Sequence, residues 1–182
     1  MVRCACIDIG SNTTRLLVAD ATPGSIEAVA TERAFLPLTG IESGGELAHR
    51  RLGTLLEVVA RFAASARDLG APQSATTSIA TQALRSLSAP EAAAIVSDLE
   101  SASGTPVELL RPEREAQLAF AGATIGLDGR AGPVGVIDIN HRGTNDLFVR
   151  DGDTQFRLLL NKAGHLEPAP VAVAVPTGAR FR

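Results

Sequence analysis

A carboxylate lies directly beside a small polar turn near the start of the chain. Asp8 falls near the end of the apolar run 2–9, and a second apolar run begins at Leu16. The turn between the two runs contains Gly10, Ser11, Asn12 and Thr13. Backbone N–H groups and small hydroxyl groups in such a turn can bind a phosphate, and a glycine lets the backbone approach a ligand closely. The same residue types also suit an ordinary hairpin turn with an Asx cap, so the pattern alone leaves both interpretations open.

A similar arrangement occurs a second time along the chain. Asp138 lies between Ile137 and Ile139 and before a polar turn, just as Asp8 lies between two isoleucines and before its turn. Two strand–turn–strand units, each with an aspartate at the strand end, are what a ligand cleft between two related domains requires. Chance similarity between two short apolar strings is the alternative explanation.

Apolar periodicity predicts the elements that carry these groups. Strands are predicted at 2–9, 16–18, 26–38, 73–81, 107–110, 134–139, 147–149 and 156–160. Helices are predicted at 46–69, 83–85, 90–103 and 112–125. The first of these helices has the clearest signal, because Leu55, Val59, Phe62 and other apolar residues recur at helical spacing. The order predicts a first domain at 1–130, the opening strands of a second domain at 131–163, and an irregular tail at 164–182.

The composition narrows the classes of partner. Of the 182 residues, 45% are hydrophobic and 3% are aromatic, so the chain can form an aliphatic core but lacks the aromatic platforms that bind single-stranded nucleic acid. The net charge of −3 and the lack of a long basic block argue against nucleic-acid and membrane partners. Any anion must therefore be bound locally, by placed arginine side chains and backbone amides.

The two cysteines indicate whether the protein is expected in a reducing or an oxidising compartment. Cys4 and Cys6 alternate on a predicted strand, so their side chains lie on one face. We expect buried thiols rather than a disulfide or a metal site, because no further Cys or His lies near them in the sequence. Arg3 and Asp8 interrupt the N-terminal apolar stretch, which therefore resembles neither a signal peptide nor a membrane span. The expected protein is reduced, soluble and cytoplasmic.

Four stretches, in order along the chain, resemble the motifs of one protein family. They are IDIGSNT at 7–13, IATQALR at 79–85, EREAQLAF at 113–120 and VIDI at 136–139. Together they resemble the Ppx/GppA family of exopolyphosphatases and guanosine pentaphosphate phosphohydrolases, over residues 2 to about 160. That family belongs to the superfamily of actin, sugar kinases and heat-shock ATPases. The resemblance implies an α/β, ribonuclease-H-like domain with a mixed sheet flanked by helices, plus the first strands of a second such domain.

The resemblance also implies a reaction and assigns roles. Members release a terminal phosphate from polyphosphate or guanosine pentaphosphate by metal-assisted attack of water, usually with Mg²⁺. By position, Glu115 is the expected catalytic base, and Asp8 and Asp138 are the expected catalytic and metal-binding carboxylates. The expected phosphate-binding residues of the first half are Gly10, Ser11, Asn12, Thr13 and Arg85. Phosphoryl transfer suits such a site, because it depends mainly on positioning and on charge neutralisation.

The second phosphate loop departs from the family pattern D-I-G-G-G-S-T-E. Without a gap, the three glycines become Asn140, His141 and Arg142, and the glutamate becomes Asn145. With one inserted residue, Gly143 and Thr144 are expected to bind phosphate, and Asp146 takes the place of the glutamate as a metal ligand. In both alignments, side chains stand where backbone amides would meet a phosphate.

The sequence therefore supports more than one function. The first is a phosphoanhydride hydrolase of the exopolyphosphatase type, with either of the two substrates. The alternative is a catalytically inactive or truncated member that acts at most as a phosphate- or nucleotide-binding module, since the second loop is altered. An ATP-using kinase of the same superfamily is a weaker alternative, because the adenosine-binding segment would lie beyond this chain. An exposed apolar face at the end of the chain would favour a homodimer.

Overall fold

The description of the fold rests on a computed structural model of the chain. It describes residues 1–124, 134–137, 146–151, 155–162 and 165–168. The chain forms two compact units, Met1–Glu115 and Ala116–Arg182. No helix among these described residues is long and apolar enough to cross a membrane.

Five strands and three complete helices make up the first unit, and a fourth helix begins in it. The strands are β1 (Val2–Ile9), β2 (Thr13–Thr22), β3 (Ser25–Phe35), β4 (Thr76–Ala80) and β5 (Val107–Leu109). The helices are α1 (Gly45–Asp68), α2 (Gln82–Arg85), α3 (Ala89–Ser103) and α4 (Pro112–Thr124). The sheet has the order β3-β2-β1-β4-β5, in which β1 pairs antiparallel with β2 and parallel with β4. The predicted mixed sheet with flanking helices is therefore confirmed, and β1 is its central strand.

Alternation along β1 sends its side chains to two different environments. Ala5, Ile7 and Ile9 are buried on one face of the sheet, with Ile7 and Ile9 completely inaccessible. On the other face, Cys4, Cys6 and Asp8 are only partly buried. The core on the first face is completed by α1, whose buried side chains recur at helical spacing as the sequence predicts. Packing of the buried face against the core thereby fixes the end of β1, while the partly exposed face carries Asp8.

The helix boundaries follow local capping chemistry. Helix α3 begins with a capping box in which the Ser88 hydroxyl and backbone N–H both donate to Glu91, and Pro90 occupies the first turn. It ends at Gly104, which has a left-handed φ of 71° and donates its N–H to the Glu100 carbonyl. These ends agree with the predicted helix at 90–103 to within one residue.

The third strand ends earlier than the sequence pattern suggests. We predict strand to residue 38, but β3 stops at Phe35. The N–H groups of Leu36 and Leu38 instead donate to the carbonyls of Asn12 and Ser11, at 3.0 and 2.7 Å. The apolar run thus continues beyond the strand because these residues support the turn between β1 and β2.

The fourth strand begins later than predicted. Residues 73–75 form a short 3-10 turn, and β4 starts at Thr76. The turn forms because the Pro72 carbonyl accepts both the Ala75 N–H and the Thr76 hydroxyl. The predicted strand at 73–81 is therefore too long at its N-terminal end.

The second unit contains an antiparallel sheet of four strands in sequential order. The strands are β6 (Val134–Ile137), β7 (Asp146–Asp151), β8 (Gln155–Lys162) and β9 (His165–Pro168). The first three agree with the strands predicted for 131–163. The fourth is a correction, since 164–182 is predicted to be irregular; β9 forms because its backbone pairs with β8, from Lys162 opposite His165 to Leu159 opposite Pro168. Residues 169–182 and the predicted boundary at residue 130 lie outside the described part of the chain.

Candidate active site

The turn between β1 and β2 presents backbone donors. Gly10 N–H donates to the Thr13 carbonyl at 3.1 Å, which closes the turn. The carbonyls of Ser11 and Asn12 accept the N–H groups of residues 38 and 36, but the N–H groups of Ser11 and Asn12 donate to no described residue. Both residues have accessible surface. Two neighbouring N–H groups without a partner in this part of the chain can bind a phosphate oxygen.

The closure of this turn favours glycine at residue 10. A Cβ atom added to residue 10 would lie 3.0 Å from the Thr13 carbonyl oxygen, which is closer than ordinary van der Waals contact. Because that neighbour is backbone, a side chain at residue 10 would require the turn to shift by a few tenths of an ångström. Glycine therefore shapes the turn itself, in addition to leaving room for a ligand as the sequence suggests.

Asp8 lies two residues before this turn, on the partly exposed face of the central strand. The pKa of its carboxyl is raised, first because burial disfavours the charged form, and further because the negative charge of Glu115 is near. The positive charge of Arg15 lowers the same pKa and offsets part of the rise. Asp8 and Glu115, which are far apart in the sequence, are therefore close enough in the structure to interact electrostatically.

Arg15 is a candidate that the sequence interpretation missed. In the β1–β2 hairpin it lies directly opposite Asp8, and directly opposite residues share one face of an antiparallel pair. The signal was present in the sequence, since Ile9 pairs with Thr14 across the turn and the next pair outward must be residues 8 and 15. The first half of the site thus contains a cation beside its carboxylate.

Arg85 and Glu115 form an ion pair beside this hairpin. Arg85 Nη1 donates to Glu115 Oε2 at 2.7 Å and to the Leu110 carbonyl at 2.7 Å. The Arg85 side chain is 22% exposed and that of Glu115 is 42% exposed. The remaining donors of the guanidinium, on Nε and Nη2, bind no described residue, so one edge of Arg85 positions Glu115 and the other edge is available to an anion.

The carboxyl ends of three parallel strands hold these side chains together. At the end of β1, the Ile9 carbonyl accepts the Thr81 N–H at 3.2 Å, and Thr81 then starts the short helix α2 that carries Arg85. At the end of β4, the Ala80 carbonyl accepts the Leu110 N–H at 2.9 Å, just after β5. Glu115 follows in the first turns of α4, where its N–H donates to the Arg111 carbonyl. The site therefore lies where β1, β4 and β5 end, which is where parallel sheets commonly bind ligands.

The predicted site residues of the second unit cannot be placed in the same way. Asp138, Gly143 and Thr144 lie outside the described residues, and Asp146 opens β7 with its side chain outside them too. Their roles stay predictions. The structure brings together the residues of the first unit only, namely Asp8, the turn at 10–13, Arg15, Arg85 and Glu115.

The carboxylates of the first unit suit a magnesium ion that has few protein ligands. In the described part of the chain, no cluster of three or more His, Cys, Asp or Glu side chains could hold a metal. Asp8 and Glu115 nevertheless place two carboxylates in one electrostatic environment, and the positive charge of Arg15 offsets only part of the cost of burying the charge of Asp8. Mg²⁺ is typically bound through one or two carboxylates, with water and phosphate oxygens as the other ligands. In the described part of the chain, Asp8 could therefore be one ligand of Mg²⁺, and the residues there form no closed protein cage.

The two cysteines take no part in this chemistry. Cys4 and Cys6 are free thiols, as predicted, although both are partly exposed rather than fully buried. Burial, with smaller contributions from the charges of Asp8 and Cys4, raises the pKa of Cys6 to about 11. Cys6 is therefore a neutral thiol at physiological pH and a poor nucleophile.

Replacement of Asp8 by asparagine is expected to stabilise the protein at neutral pH. The folded-state pKa of Asp8 is raised, so its ionised form destabilises the folded state above that pKa, whereas the protonated form has no such cost. The gain in the free energy of unfolding of Asp8→Asn should be largest at neutral pH and should vanish as the pH falls below the ordinary pKa of aspartate. Urea denaturation of both proteins at a series of pH values measures this difference.

Asp20→Asn is the matched control for this experiment. The Arg3 guanidinium binds Asp20 through two hydrogen bonds and lowers the pKa of that carboxyl, so this substitution should have the opposite sign at neutral pH. A loss of stability in Asp8→Asn at neutral pH would show that Asp8 is not in the destabilising environment described above.

Known proteins resemble this chain in both sequence and fold. The sequence model of the Ppx/GppA phosphatase family matches residues 6–145. An uncharacterized protein of Streptomyces coelicolor is 32% identical over 139 residues, which are 76% of this chain and 40% of that protein. The crystal structure of the Ppx/GppA family member of Aquifex aeolicus aligns with a TM-score of 0.65 at 20% identity, over 97% of this chain and 52% of that one. An exopolyphosphatase structure from Cytophaga hutchinsonii aligns with a TM-score of 0.62 at 18% identity, over 97% and 51% of the two chains.

These similarities have two consequences. The solved relatives have the actin-like ATPase fold, so the ribonuclease-H-like fold predicted from the sequence is confirmed. The chain spans about half the length of the solved relatives and 40% of the curated one.

Proposed function

Since the chain belongs to the Ppx/GppA phosphatase family, we propose that it hydrolyses phosphoanhydride bonds and releases the terminal phosphate of polyphosphate or guanosine pentaphosphate. The family resemblance predicted from the four motifs is confirmed by the match over residues 6–145. The substrate, the metal and the reaction are the proposal, because the relatives as whole proteins are about twice as long as this chain.

One observation carries the proposal: phosphate-binding donors and a carboxylate are positioned by the same few backbone contacts. The N–H groups of Ser11 and Asn12 and the Nε and Nη2 donors of Arg85 have no partner among the described residues, and all lie at the ends of β1, β4 and β5. The other edge of Arg85 holds Glu115. A phosphoryl group on the donors would therefore meet a carboxylate that is already oriented, which is the arrangement that phosphoryl transfer to water requires.

In the proposed reaction, each residue of the first unit has a distinct task. The turn amides and Arg85 bind the oxygens of the terminal phosphoryl group and stabilise their negative charge. Glu115 accepts a proton from the attacking water as the new P–O bond forms and the anhydride P–O bond breaks. The bond electrons leave with the remaining phosphate chain, which becomes the shorter product.

Asp8 is the residue of this unit that would hold Mg²⁺, while Glu115 stays available as the base. When bound, Mg²⁺ neutralises charge on the phosphate oxygens. Arg15 lies opposite Asp8 and provides a fixed positive charge on the same face of the sheet. We propose Asp138 and Asp146 as further ligands from the second phosphate loop.

The proposed setting is the cytoplasm, where both thiols would stay reduced. The proposed partners are anions that carry several phosphates, not nucleic acid or membranes, and the proposal allows a homodimer. The negative net charge of the chain means that such an anion must be bound by the few placed cations of the site.

The test is release of inorganic phosphate from long-chain polyphosphate and from guanosine pentaphosphate, with Mg²⁺ and with a chelator. Release that needs Mg²⁺ and is lost in Glu115→Gln would support the proposal. Binding of the two anions, measured by calorimetry, is determined in parallel with the same protein.

A second function is favoured by the altered second loop. In the alignment without a gap, Asn140, His141 and Arg142 replace all three glycines, and in the alignment with one inserted residue only Gly143 keeps a glycine. In both alignments the loop has fewer of the glycines that let backbone amides reach a phosphate. Anion binding without any phosphate release at high protein concentration would identify a phosphate-binding module. A protein that neither binds these anions nor releases phosphate from them would overturn both functions.

A further inference from the structure

Besides Arg15, a further arginine, Arg33 on β3, lies on the same face of the sheet, and the proposed reaction does not use it. We propose that Arg33 binds a second phosphoryl group of the substrate, so that the protein prefers a linear chain of phosphates over a single phosphate. This inference rests on the proposed function, because it extends the same anion site across the neighbouring strand.

Strand register places Arg33 in line with the site. Asp8 pairs with Arg15 across β1 and β2, and Arg15 pairs with Arg33 across β2 and β3. Directly opposite residues of antiparallel strands lie on the same face, and the register is regular here because its shift falls beyond Val18. The three side chains therefore form a row across the sheet, which spans about 10 Å for two strand spacings.

On this face of the sheet, the described neighbours of Arg33 include no negatively charged side chain. Its neighbours on this face, along β3 and diagonally on β2, are Thr13, Leu17, Thr31 and Phe35, all of them neutral. Arg33 is exposed and forms no hydrogen bond or ion pair with any residue in the described part of the chain. Arg15 and Arg33 thus place two like charges directly opposite each other, and Asp8 lies on the other side of Arg15, away from Arg33.

The chemistry of the row matches a phosphate chain. Arg33 presents a planar fork of donors that binds phosphate oxygens in pairs, and it lies one strand beyond Arg15. A single phosphate held at the turn is too small to reach Arg33 as well, whereas a chain of three or more phosphates can extend from the turn towards the edge strand β3. Arg33 is therefore expected to affect long anions and not short ones.

The experiment compares inorganic phosphate with tripolyphosphate as ligands, by calorimetry on the full chain with wild type and Arg33→Gln. We expect Arg33→Gln to weaken tripolyphosphate binding about tenfold, the usual effect of losing a charge-assisted contact, and to change phosphate binding less than about twofold. Arg67→Gln is the matched control. It removes the same charge from an exposed residue that is far from the proposed anion site. Arg67 is close in sequence to Leu69, and the Leu69 carbonyl accepts a hydrogen bond from Arg3, which lies at the opposite end of β1 from Asp8.

Each outcome separates this inference from the proposed function. If wild type binds both anions and Arg33→Gln binds both as well as wild type does, or loses affinity equally for both, the assignment of Arg33 is wrong while the anion site stands. If wild type binds neither anion, both the proposed function and the role of Arg33 are wrong. Thermal melting in low salt without anions gives a second readout, because removing one of two opposed charges should leave Arg33→Gln at least as stable as wild type.

Discussion

Glu115→Gln is expected to lower the rate of phosphate release about 10²- to 10⁴-fold, the usual contribution of a general base. Glutamine keeps the size of the side chain and can still accept a hydrogen bond from Arg85 Nη1, but it cannot take a proton from water. Because the Glu115 side chain is 42% exposed and its ion pair faces solvent, the substitution should change the stability of the fold little. The loss should therefore appear in kcat, with anion affinity retained or increased.

Glu113→Gln is the control for this experiment. Glu113 lies in the first turn of the same helix, is exposed, and has no contact with Arg85. It removes an equal charge from the same helix end, so any general effect of helix electrostatics should appear in both variants. Equal rates for Glu115→Gln and wild type would exclude Glu115 as the base, even if phosphate release itself is observed.

The elements that hold this site could be predicted because their signals are local. Alternation in β1 and helical spacing in α1 each repeat several times within one element, and Gly104 and Pro90 mark the ends of α3. The same periodicity failed at residues 36–38 and at β9, where the deciding interactions are backbone hydrogen bonds to other segments, the β1–β2 turn in the first case and β8 in the second. A short apolar segment can make either kind of contact, and its own sequence does not distinguish them.

The site itself is less visible in the sequence, because its groups meet through long-range contacts. Arg85 and Glu115 are thirty residues apart, and only the family resemblance pointed to both of them. Their ion pair depends on the hydrogen bonds that anchor Thr81 to β1 and Leu110 to β4. Likewise, the raised pKa of Asp8 reflects burial and the approach of Glu115, neither of which is encoded near residue 8. Arg15 is the opposite case, since hairpin register alone would have paired it with Asp8.

Arg85→Gln is expected to have the second large effect and to differ in kind from Glu115→Gln. It removes the donors that we propose bind the anion and also the contact that orients Glu115, so we expect a loss of about 10²- to 10³-fold in kcat/KM, comparable to removing a donor that stabilises transition-state charge. Anion binding should weaken in Arg85→Gln but not in Glu115→Gln. Phosphate release and calorimetry on the two variants together measure this contrast.

Arg85→Lys tests whether the guanidinium fork itself matters. A lysine keeps the charge, but a single ammonium group cannot bind Glu115, the Leu110 carbonyl and a phosphate with the geometry of a planar fork. We therefore expect Arg85→Lys to recover part of the anion affinity and little of the rate. Arg111→Gln, which removes an exposed arginine just before α4, should leave both quantities near those of wild type. If Arg85→Gln lowered thermal stability while anion affinity stayed unchanged, Arg85 would be a structural link between α2 and α4 and not part of a phosphate site.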